Sequence, residues 1–244
     1  MANANEEYRR WLAEMDAASR RKQQAFLDHI AARLKRPRVT ERPDHPFRGA
    51  PDFWHAFVWS LDERIERFIE QFRSVGGHAH RLADMEEAAR FIADKAREMG
   101  ARILLRQREP ELAALGLEAR LPDVAVRVWN DDPEEDWKAR AAEADVGVIL
   151  ADYAVAATGS IVTLSAPHKG RSVSLLPAAL FAVIPAERMH TRMGEVLARF
   201  DEAGRDNLPA GIHFVSGPSR SADIENDLTI GVHGPGIVFA LIVG

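Results

Sequence analysis

Apolar residues recur at three- and four-residue spacings from the start of the chain: Tyr8, Trp11, Leu12, Met15, Phe26, Leu27, Ile30 and Leu34. That period predicts a helix over residues 6–35. Arg36–Pro46 breaks it, because three prolines in ten residues forbid regular helix. A second helical pattern follows over Pro51–Ser74, with Phe53, Trp54, Phe57, Val58, Leu61, Ile65, Phe68, Ile69 and Phe72 on one face. Pro51 suits a first helical position, and Val75-Gly76-Gly77 closes the segment.

After residue 77 the period changes. Short apolar runs at 78–82, 102–105, 124–129, 145–150, 161–164, 181–184, 212–215 and 237–243 read as strands. Helical patterns lie between them. One spans 85–99, capped by Asp84 and stopped at Gly100. Another opens at Asp132-Pro133, and a third spans Met189–Phe200. Near-continuous apolar strands alternating with helices predict an α/β fold, with a mostly parallel Rossmann-like sheet covered on both faces. Ligands of such sheets sit at the carboxyl ends of the strands. The division expected is an N-terminal helical arm, 1–75, packed on an α/β domain, 76–244.

Composition narrows the chemistry. At 244 residues with 46% hydrophobic residues, the chain can bury a substantial core. It has no cysteine, so it cannot form disulfides, zinc–thiolate sites or thiolate-ligated iron–sulfur clusters. The N-terminus lacks an apolar leader, and the longest apolar run, Gly236–Gly244, is too short to span a membrane. A cytoplasmic location with no membrane span is expected. The net charge of −5 argues against a nucleic-acid partner. Residues 8–48 nevertheless hold 11 Lys and Arg against 5 Asp and Glu, leaving 21 against 32 in the rest. This basic stretch reads either as a docking arm or as a solvated helix face.

Three loops gather glycine, hydroxyls and charge. Thr158-Gly159-Ser160 offers two hydroxyls on a flexible turn, suited to an anion or to a tight strand connection. In Pro167–Pro177, Arg171 can hold a carboxylate or phosphate bidentately beside Ser172 and Ser174, while Lys169 reads as a plain surface lysine and His168 as structural. In Ser216–Glu225, Ser216-Gly217-Pro218 reads as a helix start whose free N–H groups face an anion, opposed by Asp223 and Glu225. Gly231–Gly236 then brackets His233, an acid–base group or a structural hydrogen bonder. His78 and His80 could chelate a metal, but no third ligand accompanies them, and no metal site is expected.

The run Ser216–Glu225 followed by Gly231-Val-His-Gly-Pro235 resembles the closing signature of the LUD-domain, or lactate-utilisation, family, most closely its small subunit-C type. Thr158–Ser160 and the segment Arg171–Pro177 are similar to that family in order and distance. The likeness covers about residues 80–244 well and 1–75 only in general character. It implies a fold similar to the CoA-transferase and sugar-phosphate-isomerase superfamily. No counterpart of the CoA-transferase glutamate nucleophile is found. It further implies a role in bacterial oxidation of L-lactate to pyruvate as an accessory subunit. Two partner proteins with cysteine-rich or iron–sulfur motifs would hold the redox centres, and this chain would hold no cofactor.

With the loops, the resemblance marks Thr158, Gly159, Ser160, Arg171, Ser172, Ser216, Gly217, Ser219, Arg220, His233 and Gly234 as binding residues for a small anionic substrate. His233 and Asp223 are the candidate proton carriers. The competing readings are a stand-alone isomerase- or ligase-like enzyme for a phosphorylated or carboxylated metabolite, and a binding module without catalysis.

Overall fold

The computed structural model describes residues 2–41, 57–222 and 227–244. The chain divides into two compact units, 1–56 and 57–244. In the first, helix α1 spans Ala2–Arg33, in line with its periodicity. Its apolar residues Tyr8, Trp11, Leu12 and Met15 are exposed. Phe53 and Trp54, assigned by sequence to the second helix, lie outside the described residues.

The second unit opens with α2, Leu61–Ser74. The expected start at Pro51 is therefore corrected: residues 57–60 are not helical. Ser60 begins the helix through a capping box, accepting from the Glu63 N–H while its own N–H donates to Glu63 Oε2 at 2.9 Å. Two orphan donors of the first turn are thereby satisfied. β1 (His78–Leu82), α3 (Met85–Glu98) and β2 (Ile103–Arg106) follow. Then come α4 (Pro110–Ala113), α5 (Leu117–Arg120) and β3 (Ala125–Val128).

α6 spans Trp137–Glu143. It does not open at Asp132, because Asp136 supplies the cap, accepting from the N–H groups of Lys138 and Ala139. β4 (Val146–Leu150), β5 (Tyr153–Val155), β6 (Ser160–Leu164), α7 (Ser172–Leu175) and β7 (Ala179–Pro185) complete the middle of the chain. β8 is Met189–His190, and α8 runs only over Met193–Ala203. The helix expected from Met189 starts late because that residue pairs with β5, and its carbonyl accepts from Arg64 at 2.6 Å. β9 (Ile212–Val215), β10 (Arg220–Ser221), β11 (Thr229–Ile230) and β12 (Ile237–Val243) close the chain.

Among the described residues the central sheet has six strands in the order β1-β12-β7-β4-β2-β3, each pair parallel. α3, α4 and α5 cover one face, packing Ile92, Leu112 and Leu117 on Leu104, Val148, Phe181 and Leu241. α2, α6 and α7 contribute to the core of the other face through Ile65, Phe68, Phe72, Ala141 and Val173. The two-sided cover and the apolar strands agree with the sequence reading.

One expectation fails. Ile161–Leu164 and Ile212–Val215 do not join this sheet but form a second one, ordered β8-β5-β6-β9 and antiparallel at β5–β6 and β6–β9. A short 3₁₀ turn, Ala156–Thr158, joins β5 to β6. A connection that short permits only an antiparallel pair, since a parallel one needs a crossover.

The α2 face is the seam of this unit. Phe68 and Phe72 are fully buried and stack at 5.5 Å, against Ile161 of the second sheet and Ala79 and Ala240 of the first. Phe72→Ala should destabilise the protein by about 3–5 kcal/mol, read from urea melts. A loss below 1 kcal/mol would show that α2 does not carry the core.

Candidate functional site

In the parallel sheet the connection from β2 runs outward to β3, whereas that from β4 runs the other way to β7. The carboxyl ends of β2 and β4 therefore flank a topological switch point, the crevice where open α/β sheets bind ligands. Gln107, one residue past β2, stitches it to β4: its N–H donates to the Val148 carbonyl, and its side-chain oxygen accepts from Leu150 N–H at 3.0 Å.

Beyond it lies a charged group that the sequence did not reveal. Lys169 is 8% exposed. Its ammonium sits 2.6 Å from Asp152, just after β4, and 3.0 Å from Glu109, just after β2. The reading of Lys169 as a surface lysine is corrected. Burial alone would lower its pKa, but the hydrogen bond and charge of Asp152, then those of Glu109, outweigh burial and leave it raised. Asp152 also accepts the Leu164 N–H through its other oxygen, at 2.8 Å. The exposed side of the group is His168, 3.5 Å from Glu109.

Lys169 also lines an open groove of about 690 Å³ with Trp129, Ser165, Gly170, Arg171 and Ser172. Trp129, one residue beyond β3, forms its apolar wall and donates its indole N–H to the Pro167 carbonyl at 3.2 Å. Gly170 lies against that ring so closely that a Cβ would come within 2.0 Å of it. Arg171 is exposed, and its guanidinium has no hydrogen-bond or ion-pair partner among the described residues. Ser165 Oγ lies 3.0 Å from His213 Nε2. Burial, then the Arg171 charge, lowers the His213 pKa. Of the residues chosen from sequence, Arg171 and Ser172 stand in this groove. Ser165 and Lys169 also line it, with His213 behind Ser165, and the sequence reading named none of the three as candidates.

The others stand around the end of α2 and ahead of β12, toward the amino edge of the parallel sheet. The hydroxyls of Thr158 and Ser160 are 2.8 Å apart, and those of Ser160 and Ser216 2.7 Å apart. This hydroxyl chain sits beside the end of α2. Gly159, at φ +56°, lies so close that a Cβ would fall 2.7 Å from Phe72 N. Gly217, at φ +85°, is equally tight on Val75, and Arg220 donates to the Val75 carbonyl. These residues anchor α2.

Ser216-Gly-Pro218 starts no helix, which corrects the expected anion-binding N-terminus. The Ser219 N–H instead donates to Pro235 O, its carbonyl accepts from Gly231 N–H, and β10 pairs antiparallel with β11. Gly234 packs on the Ser219 side chain. His233 is exposed, and Asp223 lies outside the described residues. His78 and His80 rest instead on the rings of Phe239 and Phe91.

The LUD domain family model matches residues 65–243. A lactate utilization protein C of Halalkalibacterium halodurans is 34% identical over 219 residues, 88% of this chain and 94% of that one. The protein of the same name from Bacillus licheniformis is 35% identical over 222 residues, 86% and 91% of the two chains. A crystal structure of a DUF162 family protein from Deinococcus radiodurans covers 76% of this chain and 99% of its own, with TM-score 0.56 and 19% identity. That likeness is one of fold.

Two outcomes follow from this geometry. Gly159→Ala should cost about 2 kcal/mol or more, since it combines a left-handed backbone with a clash against α2. A neutral urea melt would refute the anchoring role. His80, His190 and His213 all have pKa values below 6.5, with burial as the main cause. The unfolded chain thus takes up protons first on acidification. Stability should hold above pH 6.5 and fall as pH drops from 6.5 toward the lowered folded values. His213→Asn should flatten part of that fall, and a stability that rises on acidification through this window would contradict it.

Proposed function

This chain belongs to the LUD domain family, and from that premise we propose that it is the C-type component of a bacterial lactate-utilisation system. The observation that carries this reading is the extent of the match. It runs over 94% of a lactate utilization protein C at 34% identity, so the likeness extends over nearly all of that relative's length.

In this reading the chain is an accessory subunit in the cytoplasm. Oxidation of L-lactate to pyruvate releases two electrons and two protons, and the electrons need an acceptor. A chain without cysteine cannot hold a thiolate-ligated iron–sulfur cluster, which supports placing the redox centres in two partner proteins. The basic surplus of residues 8–48 suits docking to an acidic partner surface. The groove at the carboxyl edge of the sheet is the ligand-facing part of this subunit.

The test is genetic and biochemical together. The tagged chain should co-purify with two iron–sulfur or cysteine-rich proteins from lactate-grown cells, and its deletion should abolish growth on L-lactate. Solitary purification together with normal growth on lactate would overturn the reading. Turnover of a phosphorylated metabolite by the isolated chain would favour the stand-alone enzyme instead.

A further inference from the structure

We infer that the groove beside Trp129 binds a small monocarboxylate with an oxygen on the adjacent carbon, a 2-hydroxy or 2-oxo acid, and that Arg171 anchors its carboxylate. Lys169 and Arg171 are the charged side chains of the groove lining. Lys169 already faces Asp152 and Glu109 at 2.6 and 3.0 Å, so that trio is net negative by one. Arg171 alone carries an uncompensated positive charge there.

A guanidinium presents two parallel N–H donors that match one carboxylate. One free cation balances one anion. A phosphate dianion or a dicarboxylate would bring a second negative charge beside the Asp152–Glu109 pair, where like charges repel.

The rest of the lining suits the remainder of such a ligand. Ser165 and Ser172 supply donors and acceptors for a second oxygen next to the carboxylate, and His213 Nε2 lies 3.0 Å from the Ser165 hydroxyl. Trp129 and Ala210 offer apolar surface for a short carbon chain. An acid of six heavy atoms fills only part of so open a groove, and an affinity on the order of millimolar follows from its small contact area.

The inference rests on the lactate-utilisation reading for the class of acid and the choice of probes. The full chain is titrated at constant ionic strength with sodium L-lactate, sodium pyruvate, propane-1,2-diol and inorganic phosphate, following the Trp129 indole N–H and Arg171 resonances by NMR. L-lactate or pyruvate should give saturable shifts, and the uncharged diol none. Arg171→Gln should weaken binding by about tenfold or more, with an unchanged thermal melt, because the exposed guanidinium supports nothing in the fold. Arg171→Lys should retain part of the affinity, and Ser216→Ala should retain all of it.

Tighter binding of phosphate, full affinity in Arg171→Gln, loss of affinity in Ser216→Ala, or no saturable response to either acid would overturn the assignment. If the acids fail while co-purification succeeds, the subunit reading stands and this one falls.

Discussion

The ion group of Lys169, Asp152 and Glu109 is the contact on which the carboxyl edge of the parallel sheet depends. Asp152 joins three parts of the structure at once. It follows β4 of the parallel sheet, accepts the Leu164 N–H of the second sheet, and binds the Lys169 ammonium. Glu109, beyond β2, completes the pair from the other side of the switch point. The 165–171 loop is thereby tied to both strands and presents Arg171 at a fixed place. Opening such a buried pair by removing one partner costs about 3–5 kcal/mol, because the remaining charge is stranded out of water.

The sheet separates two kinds of glycine- and serine-rich loop. At the carboxyl edge, the loop through Gly170 seats Trp129 and leaves Arg171 unpartnered. Near the amino edge, Gly159, Gly217 and Arg220 bind the end of α2, and the hydroxyls of Thr158, Ser160 and Ser216 bond one another. The same residue types thus line an open groove in one place and pack backbone against backbone in the other. Composition alone does not distinguish these uses, since both need small side chains and exposed N–H or hydroxyl groups.

Much of the fold was legible because the forces that make it are local or periodic. The apolar strands, the Asp84 cap and the Gly100 stop are all visible along the chain. The Ser60-to-Glu63 capping box was equally visible, and reading it would have placed the start of α2 correctly. The second sheet was hidden, because apolar strands look alike whichever sheet they join, and only the short Ala156–Gly159 turn betrays the antiparallel step. Lys169 was hidden for a different reason. Its neighbours His168, Gly170 and Arg171 look like surface, and the carboxylates that bury it come from two other strand ends. A site assembled across a parallel sheet is dispersed in sequence by the length of its crossovers.

On the proposed assignment the two edges differ in role, with ligand binding confined to the carboxyl edge. The most direct measurement is a crystal of the full chain soaked in sodium pyruvate or L-lactate, with difference density examined over the whole molecule. A carboxylate paired with Arg171 is expected, with its second oxygen near Ser165 or Ser172 and its carbon chain against Trp129. Density instead against the Thr158–Ser160–Ser216 hydroxyls or beside His233, with the groove filled only by solvent, would contradict it.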